Sequence, residues 1–148
     1  MRTKKLALGC DHAGFDLKET LIDYLNRQKI PFEDYGTFSD VSVDYPDFAH
    51  AVANAVNSGV SENGVLICGS GNGVNITANK YPNVRAALCW NVEIARLARL
   101  HNNANILSLP GRFIDKEEAI KTLEVFLITD FEGGRHAIRV QKIPRHSA

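Results

Sequence analysis

The chain has 148 residues, 45% of them hydrophobic, and its 17 lysines and arginines balance 17 aspartates and glutamates. This length predicts a single domain over residues 1–148 with a full hydrophobic core. The zero net charge argues against a general binder of nucleic acids or acidic membranes, and no apolar run approaches the roughly 20 residues that cross a bilayer.

Strands and helices are predicted to alternate along the chain. The predicted strands are 5–10, 32–35, 65–68, 84–90 and 105–109, and the predicted helices are 15–28, 45–56, 93–101 and 116–128, with another helix opening after the glycines at 69–73. This alternation predicts a three-layer α/β/α Rossmann-like fold with a five-stranded parallel sheet. Ligands of such sheets lie beyond the carboxyl ends of the strands, so residues 10–12, 68–73 and 109–112 are expected at one edge.

The cysteines and the N-terminus indicate a cytoplasmic protein. Cys10, Cys68 and Cys89 are odd in number and lie near strand ends, which is not the pattern of a disulfide framework. The basic start at residues 1–5 reaches the acidic Asp11 too soon for a signal peptide. Cys10 and Cys89 are interpreted as small apolar core residues.

The turn that follows the central strand is the most informative segment. Cys68 ends an apolar run, and glycines at 69, 71 and 73 precede a polar helix start. Such a turn directs backbone N–H groups at an anion and favours a thiolate by lowering the thiol pKa. It is neither a P-loop, because no Gly-Lys-Ser/Thr follows, nor the dinucleotide fingerprint, whose third glycine comes one position later. The alternative is that Cys68 only fills space at the end of a buried strand.

Other polar residues allow both a structural and a chemical interpretation. Asp11 beside His12 is typical of a helix cap, which does not prevent contact with a ligand. Residues 101–105 are typical of a capped helix end, although a histidine there also suits proton transfer. Arg135 and Arg139, four positions apart in a basic tail that also holds His146, would share a helix face and could bind a phosphate. No metal site is predicted, because the sequence has neither His-Glu-x-x-His nor Cys-x-x-Cys nor a dense His/Asp cluster.

Six motifs occur in order along nearly the whole chain. They are Gly-Cys-Asp-His-Ala-Gly at 9–14, Asp-Tyr-Pro at 44–46, Ile-Cys-Gly-Ser-Gly-Asn-Gly at 67–73, Ala-Asn-Lys at 78–80, His-Asn at 101–102 and Glu-Gly-Gly-Arg-His at 132–136. Together they resemble the type B ribose-5-phosphate isomerases, a family of sugar-phosphate isomerases. The resemblance implies interconversion of ribose 5-phosphate and ribulose 5-phosphate through an enediolate, without metal or cofactor.

The resemblance also implies a role for each matching residue. Cys68 corresponds to the base that removes the C2 proton, and His101 to the group that helps to open the furanose ring. Some relatives use a glutamate where this chain has Val74, so the chain is similar to the cysteine type. The anion hole for the enediolate corresponds to Gly69, Ser70, Gly71, Asn72 and Gly73. The substrate and phosphate contacts correspond to Asp11, His12, Tyr45, Asn102, Arg112, Arg135 and Arg139.

The resemblance further implies a homodimer, or a tetramer of two such dimers, with active sites at the subunit interface and the tail 132–148 against the partner. The apolar residues of the predicted helix 116–128 also favour an interface. Three alternatives stay open at this point: an isomerase of allose 6-phosphate or galactose 6-phosphate, a non-catalytic nucleotide-binding module, and a thiol redox switch that uses Cys10 and Cys68.

Overall fold

A five-stranded parallel sheet forms the centre of the structure, a computed structural model that describes residues 4–145. His146 and residues 1–3 therefore lie outside the described residues. The strands are β1 Leu6–Cys10, β2 Phe32–Asp34, β3 Gly64–Cys68, β4 Ala86–Leu88 and β5 Ile106–Pro110. The helices are α1 Phe15–Arg27, α2 Tyr45–Asn57, α3 Asn72–Ala78, α4 Val92–Asn102, α5 Lys116–Ile128 and α6 Arg135–Gln141, and a 3-10 turn at His12–Gly14 precedes α1.

The strand order is β2-β1-β3-β5-β4, with every pair parallel, so β3 is the central strand and the predicted fold is confirmed. The strand predicted at 84–90 is shorter, because β4 spans only Ala86–Leu88; just before it, the N–H of Arg85 donates to the Asn105 side chain at 2.8 Å. The basic tail, in contrast, forms the additional helix α6.

Two hydrophobic clusters cover the two faces of the sheet, and the strand residues alternate between them. Helices α1, α4 and α5 pack on one face, and α2 and α3 pack on the other. Cys10 belongs to the first cluster and Cys68 to the second, so the two thiols project from opposite faces. A disulfide needs its two Cβ atoms turned toward each other, which makes the Cys10–Cys68 switch unsuitable for this fold.

Helix α5 buries most of its apolar surface within the chain. Ala119, Leu123 and Phe126 are buried in the first cluster, whereas Ile128 is 72% exposed. The apolar character of this helix is therefore mostly explained by packing on the sheet and α4. No helix within residues 4–145 has the length and apolarity needed to cross a membrane.

A fully buried lysine fixes the loop after β2. Lys18 of α1 donates from Nζ to Asp34 Oδ1 and, at 2.7 Å, to the carbonyl oxygen of Thr37. The same carboxylate oxygen accepts the N–H of Gly36 at 2.9 Å. A buried charge is tolerated only when it is paired and hydrogen-bonded in this way. The ion pair therefore joins α1 to the segment that leads toward α2.

Candidate active site

Three loops meet at the carboxyl edge of the sheet, as predicted. The N–H of Asp11 donates to the carbonyl of Ile67 at 3.2 Å, which joins the loop after β1 to β3. The N–H of Gly111 donates to the carbonyl of Cys68 at 2.8 Å, and that of Arg112 donates to the carbonyl of Gly69 at 2.9 Å. These backbone hydrogen bonds fix the positions of the three loops relative to the end of β3.

Cys68 is the last residue of β3 and retains 5% of its surface exposed. The other two cysteines are fully buried, and burial raises the pKa of Cys10 and of Cys89 to about 12. At neutral pH those two thiols stay protonated and cannot act as bases. Cys68 is thus the cysteine that lies at this edge with part of its surface exposed.

Two glycines of the turn are required by close packing. Gly71 has φ +78°, and a Cβ there would lie 2.4 Å from Leu88 Cδ1. A Cβ on Gly73 would lie 2.5 Å from the Tyr45 ring, so this ring packs directly on the turn. Ser70 is exposed, and its Oγ accepts the N–H of Asn72 at 3.3 Å where α3 begins.

The loop after β1 places two polar side chains beside the turn. The buried Asp11 caps the 3-10 turn, accepting the N–H groups of Ala13 at 3.0 Å and Gly14 at 3.2 Å, which confirms the predicted cap. His12 accepts the N–H of Val43 on Nδ1 at 3.1 Å. In the neutral imidazole the proton must then be on Nε2, so His12 offers a hydrogen-bond donor at that nitrogen.

An arginine completes this edge. The exposed Arg112 side chain lies over Gly69, where a Cβ would be 3.3 Å from its Nη1 atom. The guanidinium therefore stands next to the turn that follows Cys68. The carboxyl-edge cluster (Asp11, His12, Tyr45, the turn 68–73 and Arg112) combines a thiol, a carboxylate, an imidazole donor and a cation.

The remaining candidates lie at the opposite edge. Helix α4 starts after β4 and returns to the start of β5, so His101 and Asn102 lie at the amino edge of the sheet. Asn103 ends this helix with φ 47°, which confirms the predicted asparagine cap. The exposed Arg135 and Arg139 both belong to α6, which packs on α4.

The two sets of residues are separated by the length of β5. Cys68 pairs with Pro110, the last residue of β5, whereas His101 precedes Ile106, the first. Four steps of about 3.3 Å make this separation about 13 Å along the strand. A histidine side chain cannot cross it, so one chain does not bring His101 to Cys68.

Comparisons with known proteins identify the family. The profile of the family described as Ribose/Galactose Isomerase matches residues 6–143. The chain belongs to this family. It is 41% identical to ribose-5-phosphate isomerase B of Escherichia coli over 140 residues, which is 95% of this chain and 94% of that protein.

Solved structures of the ribose/galactose isomerase family have the same fold. A ribose 5-phosphate isomerase of Thermotoga maritima superposes with a TM-score of 0.94 at 50% identity, covering 97% of this chain and 99% of that one. Ribose-5-phosphate isomerase B of Mycoplasma genitalium, solved with bound ribulose 5-phosphate, gives 0.92 at 41% identity, covering 97% and 95% of the two chains.

Two residues at the amino edge were not assigned a role from the sequence. The ring of the buried His136 stacks on that of His101, with centroids 4.2 Å apart and an angle of 12° between the ring planes. Burial, followed by the positive charge of His101, lowers the pKa of His136. Glu132 donates its N–H to the carbonyl of Leu100 at 3.1 Å, which brings it next to the pair. No spacing could reveal this contact, because 35 positions separate the two histidines.

A cavity of about 640 Å³ lies beside the same edge. It is bounded by the segment 79–87, by Asn102 and by residues 143–145, and it includes Lys80, Arg85 and Arg145. Neither Cys68 nor any residue of its turn lines it. This cavity is therefore separate from the thiol.

Proposed function

We propose that the protein is an aldose–ketose isomerase that interconverts D-ribose 5-phosphate and D-ribulose 5-phosphate through an enediolate. The observation that carries this proposal is the placement of Cys68 beside a glycine turn, together with Asp11, His12 and Arg112 at one sheet edge. Isomerisation needs a base near C2, donors for the enediolate oxygens and a distant anchor for the phosphate. A relative with 41% identity binds ribulose 5-phosphate.

In the proposed reaction, His101 accepts the proton of the anomeric hydroxyl and returns a proton to the ring oxygen, which opens the furanose. The Cys68 thiolate then takes the proton from C2, and the C2–H electron pair forms the enediolate with the C1 carbonyl. The thiol returns its proton to C1, and a proton moves from O2 to O1 to give the ketose. The turn 69–73, with Ser70, stabilises the negative charge as it develops.

The phosphate is proposed to be bound by arginines. Arg112, Arg135 and Arg139 are exposed guanidinium groups, which suit bidentate contact with a phosphate. The Nε2 donor of His12, fixed by Val43, adds a directed hydrogen bond to the substrate. Asn102 and Tyr45 are proposed as further substrate contacts.

Each active site is proposed to use two chains. Cys68 and His101 lie at opposite edges of one sheet, so a second copy must bring its amino edge to the carboxyl edge of the first. Exposed aromatic residues follow three strand ends at the carboxyl edge, and an exposed apolar rim is typical of an interface. They are Phe38, Trp90 and Phe113, which are 69%, 54% and 76% exposed. The tail from 132 onward is proposed to contact the partner.

The three cysteines are all unpaired, which supports a reducing compartment, and we infer the cytoplasm. The reaction is proposed to need no cofactor.

The test is conversion of ribose 5-phosphate by the purified protein in EDTA, with Cys68→Ala and Cys89→Ala compared side by side. Wild type and Cys89→Ala should be active, and Cys68→Ala should lose nearly all turnover while still binding substrate. Near-normal turnover in Cys68→Ala would exclude the thiol as the base.

Since the family description includes galactose, allose 6-phosphate and galactose 6-phosphate are assayed in parallel. Activity on only a six-carbon sugar would replace the pentose assignment.

A further inference from the structure

Three side chains from separate parts of the chain converge at the amino edge. One potential ligand atom from each of His101, Glu132 and His136 lies within 4.8 Å of the other two. His101 comes from the end of α4, His136 from α6, and Glu132 from the segment that connects α5 to α6. We call these residues the His-Glu-His cluster.

The composition of the cluster matches one class of ligand. Two imidazoles and one carboxylate are the set that zinc and neighbouring divalent transition metals use when three protein ligands leave one position open. Bonds of about 2.1 Å in a tetrahedral site put ligand atoms about 3.4 Å apart. The cluster must therefore contract by up to about 1.4 Å, toward which the exposed Glu132 side chain can move. Because an imidazole binds metal in the plane of its ring, the half-buried His101 ring must also turn out of its stack on His136, where the two ring planes are only 12° apart.

A buried polar atom points to a missing ligand. His136 is only 6% exposed, and its Nε2 atom is buried without a hydrogen-bond partner among residues 4–145. Buried ring nitrogens without a partner are rare, because the group loses its water contacts and gains nothing. A metal ion bound through Nε2 would supply that partner.

The charges around the cluster limit how tightly a cation can bind. Arg135 and Arg139 are near enough to act electrostatically on His136, whereas Glu132 acts in the opposite direction. One carboxylate does not cancel two guanidinium groups, so most of the affinity must come from the imidazole nitrogens. This balance favours a zinc-class ion that binds imidazole well over magnesium or calcium, which prefer oxygen ligands.

We propose that His101, Glu132 and His136 form a binding site for a zinc-class divalent ion, and that an ion held there inhibits the protein. The inhibition rests on the proposed function, because a nitrogen of His101 that binds metal cannot transfer a proton during ring opening. Metal binding itself does not depend on the isomerase assignment.

Zinc binding by the full-length wild type is measured by calorimetry in a buffer free of chelators and thiols, and by competition with a chromophoric chelator. Glu132→Gln and His136→Gln test the cluster, and His50→Gln is the matched control, since His50 lies elsewhere and contacts Tyr81. Wild type and His50→Gln should bind one zinc per chain. Loss of a direct ligand should weaken binding at least about tenfold, the minimum seen even for residues that only support a ligand. Circular dichroism and thermal melting verify that each variant is folded.

The activity arm compares each variant with its own zinc-free rate. Zinc should inhibit wild type and His50→Gln, EDTA should reverse the inhibition, and Glu132→Gln should need at least about tenfold more zinc. Zinc binding that is unchanged in both cluster variants, or that is lost in Cys68→Ala instead, would overturn the site. Binding at the cluster without inhibition of an active enzyme would overturn the inhibitory role. A protein that binds zinc through the cluster but isomerises no sugar phosphate would refute the proposed function and leave the metal site standing.

Discussion

Two variants that are each inactive should restore activity when they are mixed. Cys68→Ala removes the thiol at the carboxyl edge, and His101→Asn removes the imidazole at the amino edge, about 13 Å away along β5. In a mixed dimer, one site would combine the intact Cys68 of one chain with the intact His101 of the other. The second site would lack both groups.

The expected recovery follows from counting sites. Random pairing of equal amounts makes about half of the dimers mixed, and one of the two sites in each is complete, so activity should reach about 25% of wild type. The parents should be far lower, because loss of an acid–base group typically costs about 100- to 10,000-fold. The chains are mixed by joint refolding from urea, and turnover of ribose 5-phosphate is measured per chain.

A control pair separates shared sites from a general effect of mixing. Cys68→Ala combined with Arg112→Ala places both defects at the carboxyl edge, so every site keeps one defect and activity should stay at the parental level. If the Cys68→Ala and His101→Asn mixture also stayed at the parental mean, while dimers were shown to have exchanged chains, the argument from opposite edges would be refuted.

Three further outcomes are expected. In urea unfolding, Gly71→Ala should destabilise the protein by about 1–3 kcal/mol more than Gly59→Ala. Both glycines have positive φ, but only Gly71 has side-chain and backbone atoms within about 3 Å of a new Cβ. Equal losses of stability in the two variants would contradict this. Val43→Pro removes the N–H that fixes the His12 tautomer and should raise KM for ribose 5-phosphate about fivefold, the equivalent of one hydrogen bond, whereas Val43→Ala should not. Burial raises the pKa of Cys89 from 9.0 to about 12, so on raising the pH the thiol ionises first in the unfolded chain. The stability that comes from burying the neutral Cys89 thiol is therefore lost above pH 9, and the loss reaches about 2 kcal/mol at pH 10.5. Cys89→Ala should show a correspondingly flatter decline in stability between pH 8 and pH 10.5.

The fold was largely predictable because its signals are local. The buried apolar run of β3 and the turn after it lie within ten residues, and the parallel topology then follows from the alternation of strands and helices. The prediction was too long for β4: just before its first residue, the N–H of Arg85 donates to the Asn105 side chain. A hydrogen-bond acceptor that comes from another loop cannot be predicted from the residues of the strand itself.

The sequence offers candidate residues for the site but does not show how they divide between the two edges of the sheet. The motifs point to Cys68 and His101 as candidates, and only the path of α4 shows that they occupy opposite edges. The stacking of His101 on His136 depends on where α6 packs, and the partner of His12 is a backbone group of Val43. Neither contact has a sequence pattern, because each joins segments at least 31 positions apart.

The ion pair of Lys18 and Asp34 constrains how this sequence can change over time. Replacing Asp34 leaves the fully buried Lys18 ammonium without its carboxylate, which costs about 3–5 kcal/mol, whereas replacing both residues with apolar ones of similar volume is often neutral. A change at position 34 alone would therefore remove a large part of the free energy of folding of a domain this size. Positions 18 and 34 should therefore be inherited as a unit: relatives that have an uncharged residue at one should also have one at the other.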